Sequence, residues 1–172
     1  MALTRRHLLA SAGALGALGA VATAAVGLGY RAWWDQPPAP GLRYLSADEA
    51  AFVDALADAI FPPSQALPVR GGEAAVAAFM DQTLGGMAPV QRNLVRLSMH
   101  ALDQYPRASG QGAFRELPLA DAIAVLGEWT RSDLAELRGV VASVYVFVAM
   151  AYTVHPQVAS RLAPSFRCGY GQ

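Results

Sequence analysis

The chain has 172 residues, of which 54% are hydrophobic and 15% charged, so it can fill the core of one compact domain and is not a disordered protein. Thirteen arginines balance thirteen acidic residues, and there is no lysine. This balance excludes the basic surface of a nucleic-acid-binding protein, and we expect no nucleic acid partner. Cys168 is the only cysteine, which excludes an internal disulfide and a thiolate metal site.

The first thirty residues have the pattern of a twin-arginine export signal. Arg5 and Arg6 follow Thr4 and are followed by Leu8, and residues 8–30 carry no charge. A basic start before an apolar stretch is typical of a secretory signal, and the arginine pair at its edge indicates the route that exports folded proteins. The sequence therefore predicts export to the periplasm through the twin-arginine translocase.

Small residues in the second half of this stretch offer two cleavage sites, which end at Ala22 and Ala24. We expect the signal to be removed at one of them. The alternative is an uncleaved membrane anchor, because residues 8–30 supply the roughly 20 apolar residues that span a bilayer.

A proline-rich linker over residues 31–45 separates this signal helix from a helical domain over residues 46–172. Ser46 followed by Glu49 is a capping box, the apolar residues after it recur at helical spacing, and Pro62-Pro63 ends this first helix. The pattern predicts helices over residues 46–60, 73–84, 89–104, 119–129, 132–154 and 156–162, and an extended tail over 167–172.

No segment alternates as a strand does, so we expect an all-α bundle of five to six helices. Residues 139–154 are uncharged, which predicts a buried apolar helix at its centre, with Ser132 as its N-cap. On the helix over 89–104, Arg92 and Arg96 are predicted outward, and the predicted inward set is Val90, Leu94, Val95 and Leu102.

The sequence lacks the motifs of common cofactor and metal sites. It has no haem-attachment C-x-x-C-H, no H-E-x-x-H, no paired E-x-x-H, no P-loop and no dinucleotide-binding glycine pattern between a strand and a helix. Asp54 and Asp58 share a helix face, which we interpret as a solvated face, with a metal pair as the alternative. We predict no catalytic, cofactor-binding or metal residue in this chain.

The isolated polar and aromatic residues have structural interpretations. We expect His100 at the surface, beside Asp103, and His155 in capping or packing at a helix junction. Cys168 lies among glycines, where an interchain thiol role is an alternative to burial. The aromatic residues predicted to lie in the core, with a pocket lining as the alternative, are Trp129, Tyr145, Phe147 and Tyr152.

Three segments together resemble the gluconate 2-dehydrogenase subunit 3 family. The first is the capped helix from Leu45 to Pro63, which ends in an apolar-proline step, and the second runs from Gly72 to Leu84. The third is Ala151-Tyr152-Thr153-Val154-His155-Pro156, similar to the family's tyrosine and His-Pro region. The resemblance covers most of residues 45 to 162.

The resemblance implies a non-catalytic small subunit. In such complexes a large flavoprotein of the glucose-methanol-choline type binds FAD and oxidises a sugar or another alcohol, and a cytochrome c subunit often accepts the electrons. The small subunit would stabilise the flavoprotein and carry it through twin-arginine export. The alternatives are a membrane-anchored binding or assembly factor without a fixed enzyme partner, and an exported enzyme with a site of its own.

Overall fold

A computed structural model describes residues 33–64 and 69–162. The chain divides into two compact units, residues 1–37 and 38–172. In the described part of the first unit, the rings of Trp33 and Trp34 meet edge to face, with centroids 5.2 Å apart. The predictions for the signal and the free thiol lie outside the described residues and stay predictions: Arg5, Arg6, Leu8, Ala22, Ala24 and Cys168.

The described part of the second unit is all-α, as predicted. Its six helices are α1 (Ala47–Ile60), α2 (Val76–Gly85), α3 (Pro89–Gln104), α4 (Leu119–Arg131), α5 (Ala135–Val154) and α6 (Pro156–Leu162). Three 3₁₀ turns lie between them, at Gly71–Ala74, Tyr105–Ser109 and Phe114–Glu116. Residues 33–64 and 69–162 contain no strand, only a β-bridge between Pro38 and Ser46.

The capping box predicted at the start of α1 is confirmed. The Ser46 hydroxyl accepts the backbone N–H of Glu49 at 3.3 Å, and the Glu49 carboxylate accepts the backbone N–H of Ser46 at 2.8 Å. These bonds satisfy donors that the first turn of a helix leaves without partners. Phe52, Val53 and Leu56 then lie in the core at helical spacing.

Residues 38–45 begin the second unit and are held in place against α2. The Asp81 carboxylate on α2 accepts three successive backbone N–H groups, from Arg43, Tyr44 and Leu45, at 2.8 to 2.9 Å. Leu45 is fully buried. The charge of one buried carboxylate therefore fixes the chain just before α1 begins.

The continuous helix predicted over residues 73–84 is wrong at its start. Gly71–Ala74 form a 3₁₀ turn, Ala75 has the left-handed φ of 52°, and α2 begins only at Val76. The cause is a close approach to α1, because a Cβ at Gly71 would lie 1.9 Å from the Ala57 carbonyl oxygen. The chain must therefore pass α1 before it can turn into α2.

The predicted cap of α5 is also displaced. Ser132 accepts the backbone N–H of Leu134 at 3.2 Å in the loop, and the helix starts at Ala135. Ser132 is thus a turn residue and not the N-cap.

Helices α1 and α5 share the centre of the bundle, since each contacts α2, α3 and α4 as well as the other. The inner face of α5 buries Val141, Val144 and Val148. Its outer face is exposed, because only 28% of its most apolar 18-residue segment is buried. The predicted central helix is therefore buried on one side and exposed on the other.

Candidate partner-binding surface

Helix α3 turns large apolar side chains toward solvent. Val90 is 71% exposed, Leu94 58% and Leu97 41%. The sequence-based prediction that Val90 and Leu94 point inward is therefore wrong. The apolar side chains that α3 does contribute to the core are Val95, Met99 and Leu102.

The arginines of α3 point into the domain, although the sequence predicted them outward. Arg96 pairs with Glu49 on α1, with Nε 2.8 Å from one carboxylate oxygen and Nη2 3.1 Å from the other. Glu49 is only 3% exposed because it completes the cap of α1. A buried carboxylate needs a charged or hydrogen-bonding partner, and this requirement sets the rotation of α3.

Arg92 holds the junction between α2 and α3. Its guanidinium donates to the carbonyl oxygens of Leu84, at 2.9 Å, and Met87, at 3.2 Å, and it lies 3.9 Å from the centre of the Tyr44 ring. It thereby adds a side-chain donor to the Leu84 carbonyl, which also accepts the Met87 backbone N–H at 3.2 Å, and adds a cation–π contact.

A second, partly buried ionic cluster lies beside Glu49. Arg115 pairs with Asp103 on α3 and with Asp48 on α1, where the Nη2–Oδ2 distance is 3.0 Å. Burial raises the pKa of Asp103, and the Arg115 backbone N–H and charge oppose that rise. His100, predicted at the surface, is partly buried next to these groups, and burial lowers its pKa despite the nearby Asp103. The cluster links α1, α3 and the turn at Phe114–Glu116.

Asp54 and Asp58 hold the segment between α1 and α2, so their interpretation as a solvated face is wrong. Asp58 is 9% exposed; it pairs with Arg70 and accepts the backbone N–H of Gly72 at 2.8 Å. Asp54 lies near the backbone N–H of Ala77 in the first turn of α2, which acts to lower its pKa. Burial, together with the charge of Asp58, raises the pKa of Asp54 to about 6.

The tyrosine and His-Pro segment fixes the same region from the other side. The Tyr152 hydroxyl donates to the Val69 carbonyl at 2.6 Å, and its ring stacks on Phe61 with centroids 3.9 Å apart. His155 is the C-cap residue of α5, in line with the capping interpretation, and its backbone N–H donates to the Tyr152 carbonyl. This segment therefore has a packing role.

The four aromatic residues considered for a pocket divide into three groups. Trp129 and Tyr152 are buried in the core, and Phe147 packs partly buried against it. Tyr145 is 40% exposed on the outer face of α5. There it lines a shallow groove of about 350 Å³ with Thr130, Arg138, Val141, Ala142 and Val146.

The outer face of α5 is a second exposed apolar surface. Val146 is 54% exposed, Met150 51% and Val154 59%. By length and composition α5 meets the criteria for a membrane span, as core helices of soluble proteins also do. No other helix among residues 33–64 and 69–162 meets them.

Within the described ranges, no group of three or more histidine, cysteine, aspartate or glutamate side chains is arranged to hold a metal ion. The residues that sequence reasoning missed are Asp81, whose partners are 36 to 38 positions away, and Arg115, whose partners Asp103 and Asp48 are 12 and 67 positions away. At Asp81 the only sequence signal was the helical spacing of the apolar residues around it. No local sequence pattern indicated Arg115.

The sequence model of one protein family, described as gluconate 2-dehydrogenase subunit 3, matches residues 47–160. The match extends from the first residue of α1 into α6 and contains all the ionic clusters described above. No curated protein and no solved structure matches the chain with significant similarity.

Proposed function

Because the chain belongs to the gluconate 2-dehydrogenase subunit 3 family, we propose that it is the non-catalytic small subunit of a periplasmic dehydrogenase complex. Its partner would be a flavoprotein of the glucose-methanol-choline type that binds FAD and oxidises a sugar or another alcohol. The small subunit stabilises that flavoprotein and carries it through the twin-arginine translocase. A cytochrome c subunit is a further candidate partner, as the electron acceptor.

The observation that carries the proposal is the family match over residues 47–160. Two features support it. The domain has outward apolar faces on α3 and α5, which suits a protein that works in a complex. The export pattern at Arg5 and Arg6 suits a chain that accompanies a cofactor-loaded, folded partner.

FAD is assigned to the partner because this sequence has no dinucleotide-binding glycine pattern. In that motif a glycine-rich turn between a strand and a helix brings backbone N–H groups to the pyrophosphate. The chain's own contribution is therefore to bind, stabilise and export the flavoprotein.

The proposal is tested by changing both signal arginines to lysine, as Arg5→Lys together with Arg6→Lys. We expect the flavoprotein to stay in the cytoplasm, because the translocase recognises the arginine pair itself. The double variant keeps both positive charges, so a loss of export cannot be an effect of charge. Dehydrogenase activity and flavin are measured in periplasmic and cytoplasmic fractions. Arg131→Lys, at an exposed position at the end of α4, is the control. Periplasmic flavoprotein at the wild-type level in the double variant would contradict the proposal.

A second candidate function is a membrane-anchored assembly factor. The apolar stretch over residues 8–30 and the largely exposed α5 favour it. It differs from the first in one measurable respect, since a purified assembly factor carries no stoichiometric flavoprotein.

A further inference from the structure

We propose that the outward face of α3 is the surface on which the dehydrogenase subunit docks, through an apolar and uncharged surface of its own. This inference rests on the proposed function, which supplies the partner. The face consists of Val90, Leu94, Leu97, Ala101 and Tyr105, and we call it the α3 face.

The α3 face is a continuous line of side chains. Successive members are three or four residues apart, the spacing that aligns side chains along one side of a helix. All five are exposed, and Tyr105, at 46%, extends the line past the end of α3. Its ring packs edge to face on the buried Trp129 with centroids 6.0 Å apart. The core therefore holds this aromatic side chain in a fixed position.

The charge pattern of α3 defines the chemistry of the partner. Every exposed residue from Pro89 to Ala101 is uncharged. The charged side chains of the helix have their partners on its inner side: Arg92 with carbonyl oxygens, Arg96 with Glu49, and Asp103 with Arg115. A charged partner surface would lose its hydration on the α3 face without any compensating charge. Electrostatic complementarity therefore requires an uncharged partner surface.

The arrangement of α3 is unfavourable in an isolated domain. Buried ion pairs contribute little net stability, because desolvation of both charges offsets their attraction. Half-exposed leucine and valine contribute less hydrophobic stabilisation than they would if they were fully buried. A bound subunit that covers Val90 and Leu94 makes this rotation of α3 favourable, because the outward apolar side chains are then buried in addition to the inward ion pairs.

The outer face of α5 fits a docking role less well. Its inner side packs through the apolar side chains of Val141, Val144 and Val148. Unlike in α3, no ion pair among the described residues determines the rotation of this helix. Arg138 lines one end of its groove, and residues 139–154 are uncharged, like the exposed residues of α3. The α5 face therefore serves as a control of similar exposure and charge whose rotation no such ion pair determines.

A lipid bilayer is the competing occupant of an apolar face. Proteins that bind anionic membrane surfaces combine apolar side chains with arginine or lysine on the same side. From Val90 to Ala101 the α3 face has neither, since both arginines of α3 are turned inward, and the exposed Arg107 beyond Tyr105 is paired with Glu116. Its chemistry therefore favours a protein surface.

The test uses the full chain co-expressed with the proposed partner, an FAD-containing dehydrogenase subunit of the glucose-methanol-choline type from the same genome, and purified through a tag on the small chain. Leu94→Glu adds a charge at a position that is 58% exposed, and Leu94→Ser is the milder second variant. Val146→Glu on α5, at 54% exposure, is the control. The measurements are flavin absorbance per mole of purified chain and the thermal unfolding temperature of each variant.

We expect Leu94→Glu to reduce co-purified flavin at least about tenfold, because central apolar contacts dominate binding. Val146→Glu should keep the wild-type ratio, and all variants should unfold at similar temperatures. An unchanged flavin ratio in Leu94→Glu, or a loss in Val146→Glu alone, overturns the inference. So does a loss of sedimentation with phosphatidylglycerol vesicles in Leu94→Glu while flavin is retained. If no flavoprotein co-purifies with the wild-type chain, that result contradicts the proposed function itself and not the choice of the α3 face.

Discussion

Asp54 and Asp58 are one helical turn apart on α1, and their surroundings give them opposite properties. Asp58 is also partly desolvated, but the hydrogen bonds from Arg70 and Gly72 outweigh burial, so its pKa is lowered. Asp54 has only the Ala77 backbone N–H against burial and the charge of Asp58, so its pKa rises to about 6. At neutral pH the ionised form of Asp54 therefore destabilises the fold.

The first prediction concerns the stability of the domain between pH 7 and pH 4. The folded-state pKa of Asp54 lies above its unfolded value of 3.8. Ionisation of Asp54 therefore lowers the free energy of unfolding above pH 6. Protonation removes this cost as the pH falls through 6. We expect Asp54→Asn to raise the free energy of unfolding at pH 7 by about 1 kcal/mol, after allowance for solvent screening. Near pH 4 the advantage should vanish.

Urea denaturation of the wild type and the variant at several pH values measures this difference. Asp121→Asn, at an exposed position in the first turn of α4, controls for the loss of one negative charge. A gap between Asp54→Asn and wild type that is the same at pH 4 and pH 7 would contradict the prediction. The assignment of the shift to Asp54 would then be wrong.

At the scale of secondary-structure elements, the sequence predicted what depends on local spacing. The cap at Ser46 and Glu49, the end of α1 before Pro62 and the extent of α3 follow from capping and proline chemistry within a few residues. The all-α fold follows from helical periodicity. These features need no knowledge of what lies across the core.

The rotation of α3 was not predictable from the sequence, and the reason lies in its pattern. Val95, Met99 and Leu102 form one apolar side, whereas Val90, Leu94 and Leu97 form another on the opposite side. Either side can face the core by hydropathy alone. Glu49, 47 positions away from Arg96, decides between them. The candidate site was missed because the decisive contact is non-local.

The second prediction concerns this ion pair. Arg96→Met should lower the free energy of unfolding by about 3 to 5 kcal/mol, because it leaves the buried Glu49 carboxylate without its charged partner. The double variant Glu49→Gln with Arg96→Met should lose less than the single variant, since no buried charge remains. Guanidinium denaturation at pH 7 measures both.

Arg107→Met is the matched control for the ion pair. Arg107 pairs with Glu116 at 3.2 Å, but both side chains are 51% exposed. Such a surface pair contributes about 0 to 1 kcal/mol. Equal losses in Arg96→Met and Arg107→Met would mean that the Glu49 pair does not determine the rotation of α3.

At the scale of the whole molecule, the chain combines an export pattern with a domain that exposes two apolar faces. An exposed apolar face of this kind favours association or aggregation in a protein that crosses a membrane alone. Under the proposed function, export together with a folded partner that covers the α3 face would avoid this. The twin-arginine pattern at Arg5 and Arg6 and the uncharged α3 face are therefore consistent with a single role.

The last prediction concerns the fate of the signal. If the subunit is released into the periplasm with its partner, cleavage after Ala22 or Ala24 is expected, because both residues end A-x-A sites within residues 8–30. Arg5 and Arg6 are lost with it, and the formal net charge changes from 0 to −2. Intact mass and N-terminal sequencing of the complex purified from its source should show a chain that starts at Thr23 or Ala25. In the Ala22→Leu, Ala24→Leu double variant, which blocks both sites, the complex should move to the membrane fraction. A wild-type mass that includes Met1, with the complex already in the membrane fraction, would instead show that residues 8–30 are a permanent anchor.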